Sequence, residues 1–418
     1  MIRTFAELLD PMRPEEFFES VWSKNFCHIK GAPGKFAGLL PWSKLNEILC
    51  TAPLNHPRMR VVKEGTVMPI DTWIQHTQSK FEPRTYFTRV QTAAVTEYLR
   101  QGATLTLDSV DELAGSVTEL AVELQRTFCD RVQINAYAGF RTSQGFDLHW
   151  DDHDVFILQV SGRKRWGTAG VTRPFPIRND IVANLKAPEK LIWEEILEEG
   201  DVLYLPRGWW HVAFPLDEPT LHLTCGVYHS TGLDLLQWLA EQMRASEAFR
   251  RPLPRFGDAA ALKQHVARLR EELLAAWSPD LPDRFLTERD SRATPPNAMN
   301  LPWAVMADLP PSDDIGIKLA TVRPLKLKAD AEKGTTEFTL NGKKWKFPTS
   351  VIGIFRRLEE SRGCTIAQLC EAFSEQFSRE SLRDFLRRLL ANGLITLADI
   401  PKPEDTPGAR SSLGRPDK

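Results

Sequence analysis

The sequence predicts an α+β protein: a small all-β barrel or jelly roll wrapped by helices and short strands, then a helical stretch and a second small domain. Three observations predict it. Between residues 132 and 228 the apolar runs VQINAY, FDLHWD, DVFILQV, DVLYLP, HVAF and TLHLTCGVY follow one another with Gly and Pro between them, the pattern of many short strands. The residues before them mix helical and strand periodicities, as a wrapping does. After residue 232 apolar positions recur three and four apart, which marks helices.

Taken in order, Pro14-Glu15-Glu16 opens a helix carrying Phe17, Phe18, Val21 and Trp22, with acidic residues where the helix dipole favours them. A short strand is expected at 26–29, a helix at 42–49, and strands at 58–62 and 66–70. Helical patterns cover 92–101 and 110–130, and between them GATLTLD alternates Ala103, Leu105 and Leu107 as a strand. Beyond the barrel, 233–248 and 259–277 read as two helices separated by Pro252 and Pro254. Such a pair is either ordinary packing or an oligomer contact. Residues 278–312, Pro-rich and polar, read as a linker. From about 315 a hairpin is expected on Asn341-Gly342, because Asn-Gly supplies the positive φ angles of a type I′ turn. Helices at 350–361, 366–374 and 378–391 and a strand at 394–397 complete a unit that resembles a winged helix. The expected organisation is therefore 1–232 barrel with wrapping, 233–312 helical region and linker, 313–401 winged-helix-like domain, and 402–418 a disordered tail.

The formal net charge of -2 gives no global attraction to nucleic acid or anionic membrane. Six scattered cysteines without a CxxC suit a reducing compartment and signal no structural zinc. With no apolar leader and no run approaching the roughly 20 apolar residues of a membrane span, a cytoplasmic protein without a membrane partner is expected.

The candidate chemistry concentrates in residues 146–166, FDLHWDDHDVFILQVSGRKRW. His149 and Asp151 are two apart in an alternating run, so they share a face. Alone, His-x-Asp is a weak signal and a structural histidine is the ordinary reading. A second histidine from a later strand would complete a two-His, one-carboxylate facial triad with open metal positions. His211 is the preferred candidate: Pro206 and Gly208 bend the chain just before it in PRGWWH. His222 is its competitor. Alternation also separates Lys164, which shares a face with Trp166, from its neighbours Arg163 and Arg165. His153 reads as a polar rim residue, and Trp209 and Trp210 as cleft wall or core.

The combined pattern HxD…QxxGxKxW…GDxLYxPRGxxH resembles the JmjC group of cupin-fold, iron(II)- and 2-oxoglutarate-dependent oxygenases. It is most similar to the ribosomal oxygenases, which join a JmjC double-stranded β-helix to a helical dimerisation region and a C-terminal winged helix. The resemblance extends to about Pro401. It implies that His149, Asp151 and His211 are the catalytic iron ligands and that Lys164 pairs with the distal carboxylate of 2-oxoglutarate. It further implies that Asn135 and Tyr137 hydrogen-bond that cosubstrate and that His222 and Thr224 line its pocket. Asn135 and Tyr137 could instead be satisfied barrel residues. The activity implied is O2-dependent hydroxylation of an amino-acid side chain, Arg or His, in a ribosomal protein, by a homodimer. Lys164 is a departure from the bacterial arginine hydroxylases, which tend to carry Arg there, and it leaves the target open. A hydroxylase of a natural-product peptide or small molecule is the alternative within enzymes. An N-methyl-lysine demethylase is disfavoured because the accompanying domains match the hydroxylases.

A reading from another class makes the winged helix a DNA-binding regulator with the cupin as sensor. Residues 351–395 hold seven Arg and no Lys against six Asp plus Glu, roughly neutral despite the cluster Arg379, Arg383, Arg387 and Arg388. A DNA reader ordinarily needs a basic footprint, so nucleic acid is not expected as a partner.

Overall fold

The computed structural model describes residues 2–78, 86–143, 145–178, 186–256 and 258–398, and the chain divides into two compact units, 1–242 and 243–418. The tail at 402–418 lies outside the described residues.

The first unit opens with α1 (Phe5–Leu9), α2 (Pro14–Ser20), β1 (Cys27–Ile29), α3 (Trp42–Thr51), β2 (Met59–Lys63), β3 (Thr66–Val67), β4 (Ile74–Gln78), β5 (Tyr86–Val90), α4 (Thr92–Arg100), β6 (Thr104–Leu107) and α5 (Gly115–Phe128). The barrel strands follow as β7 (Arg131–Gly139), β8 (Asp154–Ser161), β9 (Lys164–Val171), β10 (Trp193–Leu197), β11 (Val202–Leu205), β12 (Trp209–Pro215) and β13 (Thr220–Tyr228), and α6 (Gly232–Gln242) ends the unit. The helix expected over 110–130 is in two parts, a 3₁₀ turn at Val110–Glu112 and then α5.

Among the described residues, one antiparallel sheet runs β1-β11-β8-β13-β7-β6-β2-β3 and a smaller one runs β10-β9-β12. Val155, Ile157, Trp166, Leu197, Leu203 and Leu205 form a core drawn from both sheets, which makes the pair the expected jelly roll. The large sheet is buried on both faces. On β8, Phe156, Leu158 and Val160 pack with α1, α2 and α5, while Val155 and Ile157 point into the barrel. Burial on both sides explains why DVFILQV reads as a continuous apolar run. The wrapping does more than expected: β1, β2, β3 and β6 join the large sheet, and β2 brings Arg60 to the barrel cavity.

Two motif carboxylates fix the loops around the barrel mouth. Asp201 accepts from Gly31 N–H and Glu198 N–H and lies 2.8 Å from His28 Nε2. Asp154, at the start of β8, accepts from the Tyr204 hydroxyl and, at 3.0 Å, from Arg207 N–H, so it ties the PRG turn to β8. His229 lies between Asp154 and Asp130; burial pulls its pKa down, but the two carboxylates carry it up to about 9.

The second unit contains α7 (Glu247–Arg250), α8 (Ala259–Ala276), α9 (Leu281–Ser291), α10 (Trp303–Met306), β14 (Gly316–Leu319), β15 (Lys328–Asp330), β16 (Thr335–Leu340), β17 (Lys343–Pro348), α11 (Ile352–Glu360), β18 (Cys364–Thr365), α12 (Ile366–Ala372), α13 (Arg379–Ala391) and β19 (Ile395–Ala398). The helix expected over 233–248 stops at Gln242 and resumes only briefly as α7. The stretch expected as a linker carries α9 and α10. Pro282 sits in the first turn of α9, where its missing N–H costs nothing, and Leu281 and Phe285 are buried. The hairpin β16–β17 turns on Asn341 and Gly342, at φ 51° and 74°, as the Asn-Gly pair requires. Phe338, Ile354, Phe355, Leu358, Leu386 and Leu389 centre a core of this unit's own.

Candidate active site

The ligand-bearing residues are placed by backbone pairing just outside a regular strand. β8 begins only at Asp154, so His149 and Asp151 lie in an extended segment before it rather than in the strand expected over FDLHWD. That segment is held by an isolated bridge: His211 N–H donates to His149 O at 2.7 Å and His149 N–H to His211 O at 3.1 Å. Gly208 N–H donates to Asp151 O at 2.9 Å. Gly208 has φ +84°, and a Cβ there would meet Arg173 O at 2.8 Å, so the turn that presents His211 requires glycine. The bridge puts both histidines side by side, and the shared face of His149 and Asp151 survives without the strand.

The ligand atoms of His149, Asp151 and His211 all lie within 4.8 Å of one another. His211 Nε2 is 3.5 Å from Asp151 Oδ2, and the two imidazoles are 4.4 Å apart between centroids. Each imidazole Nδ1 faces a backbone carbonyl, Asp147 O at 2.7 Å for His149 and Trp209 O at 2.9 Å for His211. A carbonyl only accepts, so Nδ1 carries the proton and Nε2 presents a lone pair to the centre, the tautomer a metal ligand needs. Burial, with His149 beside it, lowers the His211 pKa to about 4, which keeps the ring neutral. Burial alone would raise the Asp151 carboxyl; the surrounding histidines hold it below its ordinary value. Two imidazoles and one carboxylate converging from one side form the facial donor set that suits iron(II) and leaves coordination positions open.

The triad lines a cavity of about 290 Å³ together with Asn135, Tyr137, Lys164, His222 and Thr224. All eight residues singled out in the sequence thus meet in one place. Arg163 and Arg165 point away and pair with Glu218 and Glu194, whereas Lys164 is 5 % exposed and lies 5.8 Å from the Trp166 ring centre. Burial lowers the Lys164 pKa to about 8. The strand alternation read from the sequence therefore picked the inward cation from its run. Asn135 Oδ1 accepts from Ser109 N–H and from Gln133 Nε2, and the Asn135 side chain also hydrogen-bonds the Tyr137 phenol at the cavity wall. Tyr137 stacks on His222 at 4.9 Å and 3°. Burial raises the Tyr137 phenol, so it remains a donor, and burial followed by the nearby Lys164 lowers His222 well below its ordinary value. His222 stands outside the triad cluster, although it lines the same cavity.

His153 is a correction: it is no rim residue but lines the cavity, stacked at 4.4 Å on Tyr228 and bonded to Asp152. Trp210 is core, packed with Trp150 and Ala169 and donating to Thr172 Oγ1 at 2.7 Å. Trp209 packs on Phe26. One charged cavity residue was missed. Arg60, from β2 in the wrapping, reaches the cavity, and strand periodicity alone carried no signal that β2 would join the barrel sheet.

Residues 117–235 match the family described as JmjC domain, a span that holds the triad, Lys164 and every barrel strand from β7 to β13. That segment is a JmjC domain. A Drosophila mojavensis protein named "Bifunctional lysine-specific demethylase and histidyl-hydroxylase NO66" is 30% identical over 232 residues, 53% of this chain and 24% of its own length. "Ribosomal oxygenase 1" of Gallus gallus is 30% identical over 261 residues, 60% of this chain and 42% of its own. The chain thus spans less than half the length of these two relatives. Among solved structures, Escherichia coli ycfD superposes with a TM-score of 0.56 at 18% identity, covering 93% of this chain and 98% of that one. A second structure of YcfD, a ribosomal oxygenase in complex with cobalt and 2-oxoglutarate, gives 0.54 at 18% identity, with coverage of 93% and 99%. At that identity the likeness establishes the fold around the JmjC domain.

Proposed function

We propose that this JmjC protein is an iron(II)- and 2-oxoglutarate-dependent oxygenase that hydroxylates an amino-acid side chain of a ribosomal protein. The observation that carries it is the convergence, in one cavity, of a facial His-Asp-His triad and a buried lysine that forms no ion pair among the described residues. His149, Asp151 and His211 hold the metal, and Lys164 pairs with the distal carboxylate of 2-oxoglutarate. Asn135 and Tyr137 donate hydrogen bonds to the cosubstrate, while His222 and Thr224 line its pocket. Iron and 2-oxoglutarate, with dioxygen, supply the oxidant that turns a substrate C–H into C–OH while the cosubstrate becomes succinate and carbon dioxide. The apolar walls Val155, Ile157, Trp166 and Ala213 exclude water from that chemistry. The relatives' names, one a histidyl-hydroxylase and one a ribosomal oxygenase, support a ribosomal substrate.

The same proposal assigns α8 to a homodimer contact and the C-terminal helices and hairpin to a winged helix. Helix α8 buries no residue, and Leu262, Val266, Leu274 and Trp277 stand 42%, 51%, 57% and 52% exposed. Burying such side chains is worth about 1.5–3 kcal/mol each, so Leu262→Glu and Val266→Glu should each weaken self-association at least tenfold in sedimentation equilibrium. A monomeric wild type would remove the assignment. The basic cluster on α13 is largely neutralised: Arg379 and Arg383 pair with Asp313, and Arg387 pairs with Asp308 and Asp384. That disfavours the DNA-binding alternative.

The deciding experiment titrates Fe(II) and 2-oxoglutarate anaerobically and then incubates the loaded protein in air with the host's ribosomal proteins. Succinate formation matched by the gain of one oxygen on a ribosomal protein is expected. Succinate formation without such a gain would turn the substrate assignment to a small molecule or peptide. Failure to consume 2-oxoglutarate at all would overturn the oxygenase assignment.

A further inference from the structure

The hairpin sheet of the second unit carries a charge excess that α13 does not. Strands β15, β16 and β17 pair in that order, and the register aligns Lys328 with Glu337 and Lys346, and Thr339 with Lys344. Aligned residues share a face and every second residue returns to it, so Lys328, Lys344 and Lys346 stand together on one side of the sheet. The other side is core. Phe338 and Leu340 are buried there, and Phe347 stacks on Phe338.

A cavity of about 170 Å³ opens on the outer side, lined by Lys326, Lys328 and Lys344 together with Arg323. With Lys346 these make five cations on the face, and the carboxylates that meet them are Asp290 and Glu337, which leaves an excess of three. Asp290 is shared, 3.3 Å from Arg323 Nε and 3.4 Å from Lys326 Nζ, and Glu337 lies 3.1 Å from Lys346 Nζ. Lys328 and Lys344 are exposed and make no ion pair among the described residues. The hydroxyls of Thr287 and Thr339 line the same cavity. Ammonium groups without carboxylates, set beside hydroxyl donors, suit an anion with several acceptor oxygens, and a phosphate is such an anion.

We propose that this outer face holds the phosphate backbone of RNA. A face that docked a protein would carry exposed aromatic side chains at its centre, whereas here Trp345 and Phe347 alternate to the other side and leave charge and hydroxyls. Without rings on which bases could stack, the contact engages phosphates and not sequence. A duplex-DNA reader places a helix in the groove, and on α13 Arg379, Arg383 and Arg387 are held in ion pairs. The choice of RNA over DNA rests also on the ribosomal substrate proposed above.

The test uses the full chain without iron or 2-oxoglutarate, and its probe is an oligouridine of about 20 nucleotides followed by fluorescence anisotropy. Each phosphate contact on a single strand adds about 0.7 to the fall of log affinity with log salt, so an excess of three charges predicts a slope of about −2.1. Lys328→Ala and Lys344→Ala should each bring the slope to about −1.4 and weaken binding about eightfold at about 50 mM salt. Lys328→Arg and Lys344→Arg should bind as the wild type does. Absent binding at that salt, binding that the alanine variants leave unchanged, or equal loss in the arginine variants overturns the proposal. So does tighter binding of polyglutamate, or of duplex DNA of equal total charge, which would make the face an acidic-protein or a DNA site. Both lysines are exposed, so the variants should fold, and an unchanged melting temperature checks it. Because the assay needs neither metal nor cosubstrate, its failure leaves the oxygenase proposal standing, and absent 2-oxoglutarate consumption leaves the binding result standing.

Discussion

Asp151→Ala is expected to abolish metal-dependent consumption of 2-oxoglutarate while the protein stays folded. Asp151 supplies the one carboxylate donor of the triad, and only the two imidazoles remain without it. Loss of a residue that merely orients a metal ligand costs about 10–100-fold in affinity or activity, so loss of the ligand itself should exceed the upper end of that range. The measurement pairs Fe(II) titration with a succinate assay. The substitution removes a carboxylate that is held by position more than by packing: its backbone carbonyl still accepts from Gly208, so the turn that carries His211 keeps its anchor. Wild-type turnover in this variant would refute the assignment of the triad.

Lys164→Met should raise the KM for 2-oxoglutarate about thirtyfold or more and lower kcat less. Truncating one member of a buried charge pair costs about 2–5 kcal/mol, and each 1.4 kcal/mol is tenfold. Lys164 is 5 % exposed, so little water is available to screen the loss. The pH dependence follows from the same burial. With its pKa lowered to about 8, the free enzyme loses the Lys164 cation as pH rises through that value. Cosubstrate affinity, which needs the cation, is full below about pH 8 and weakens above it, toward a tenfold loss per pH unit. A KM for 2-oxoglutarate that is flat between pH 7 and 9, or unmoved by Lys164→Met, would place the carboxylate elsewhere in the cavity.

The site is assembled across the barrel and not within one segment. The proposed metal ligands and cosubstrate anchor come from the segment before β8 and from β9 and β12, so two of the three contributions depend on strands brought together from distant parts of the chain. Asp154 and Asp201 do no chemistry in this scheme. They tie the loops that carry it, and their presence in the same motif as His211 reflects the need to hold the PRG turn against β8.

The sequence by itself determined what local periodicity can determine. Alternation put Lys164 and Trp166 on the inner face and Arg163 and Arg165 outside, and the structure has them so. Asn-Gly at 341–342 located the hairpin, and the pair His149 and Asp151 located the ligand face. Tertiary structure decided which strands are neighbours. A period of two says which side chains share a face but nothing about the partner strand, so β2 and β6 looked like wrapping when they are part of the barrel sheet, and Arg60 went unseen. The same blindness made a strand of residues 149–151, whose order comes from a two-residue bridge to His211, and a linker of α9, whose Pro282 starts a helix instead of breaking one. His211 could be preferred over His222 because it closes the PRGxxH motif, yet only the pairing across 62 residues of chain sets its Nε2 3.5 Å from Asp151.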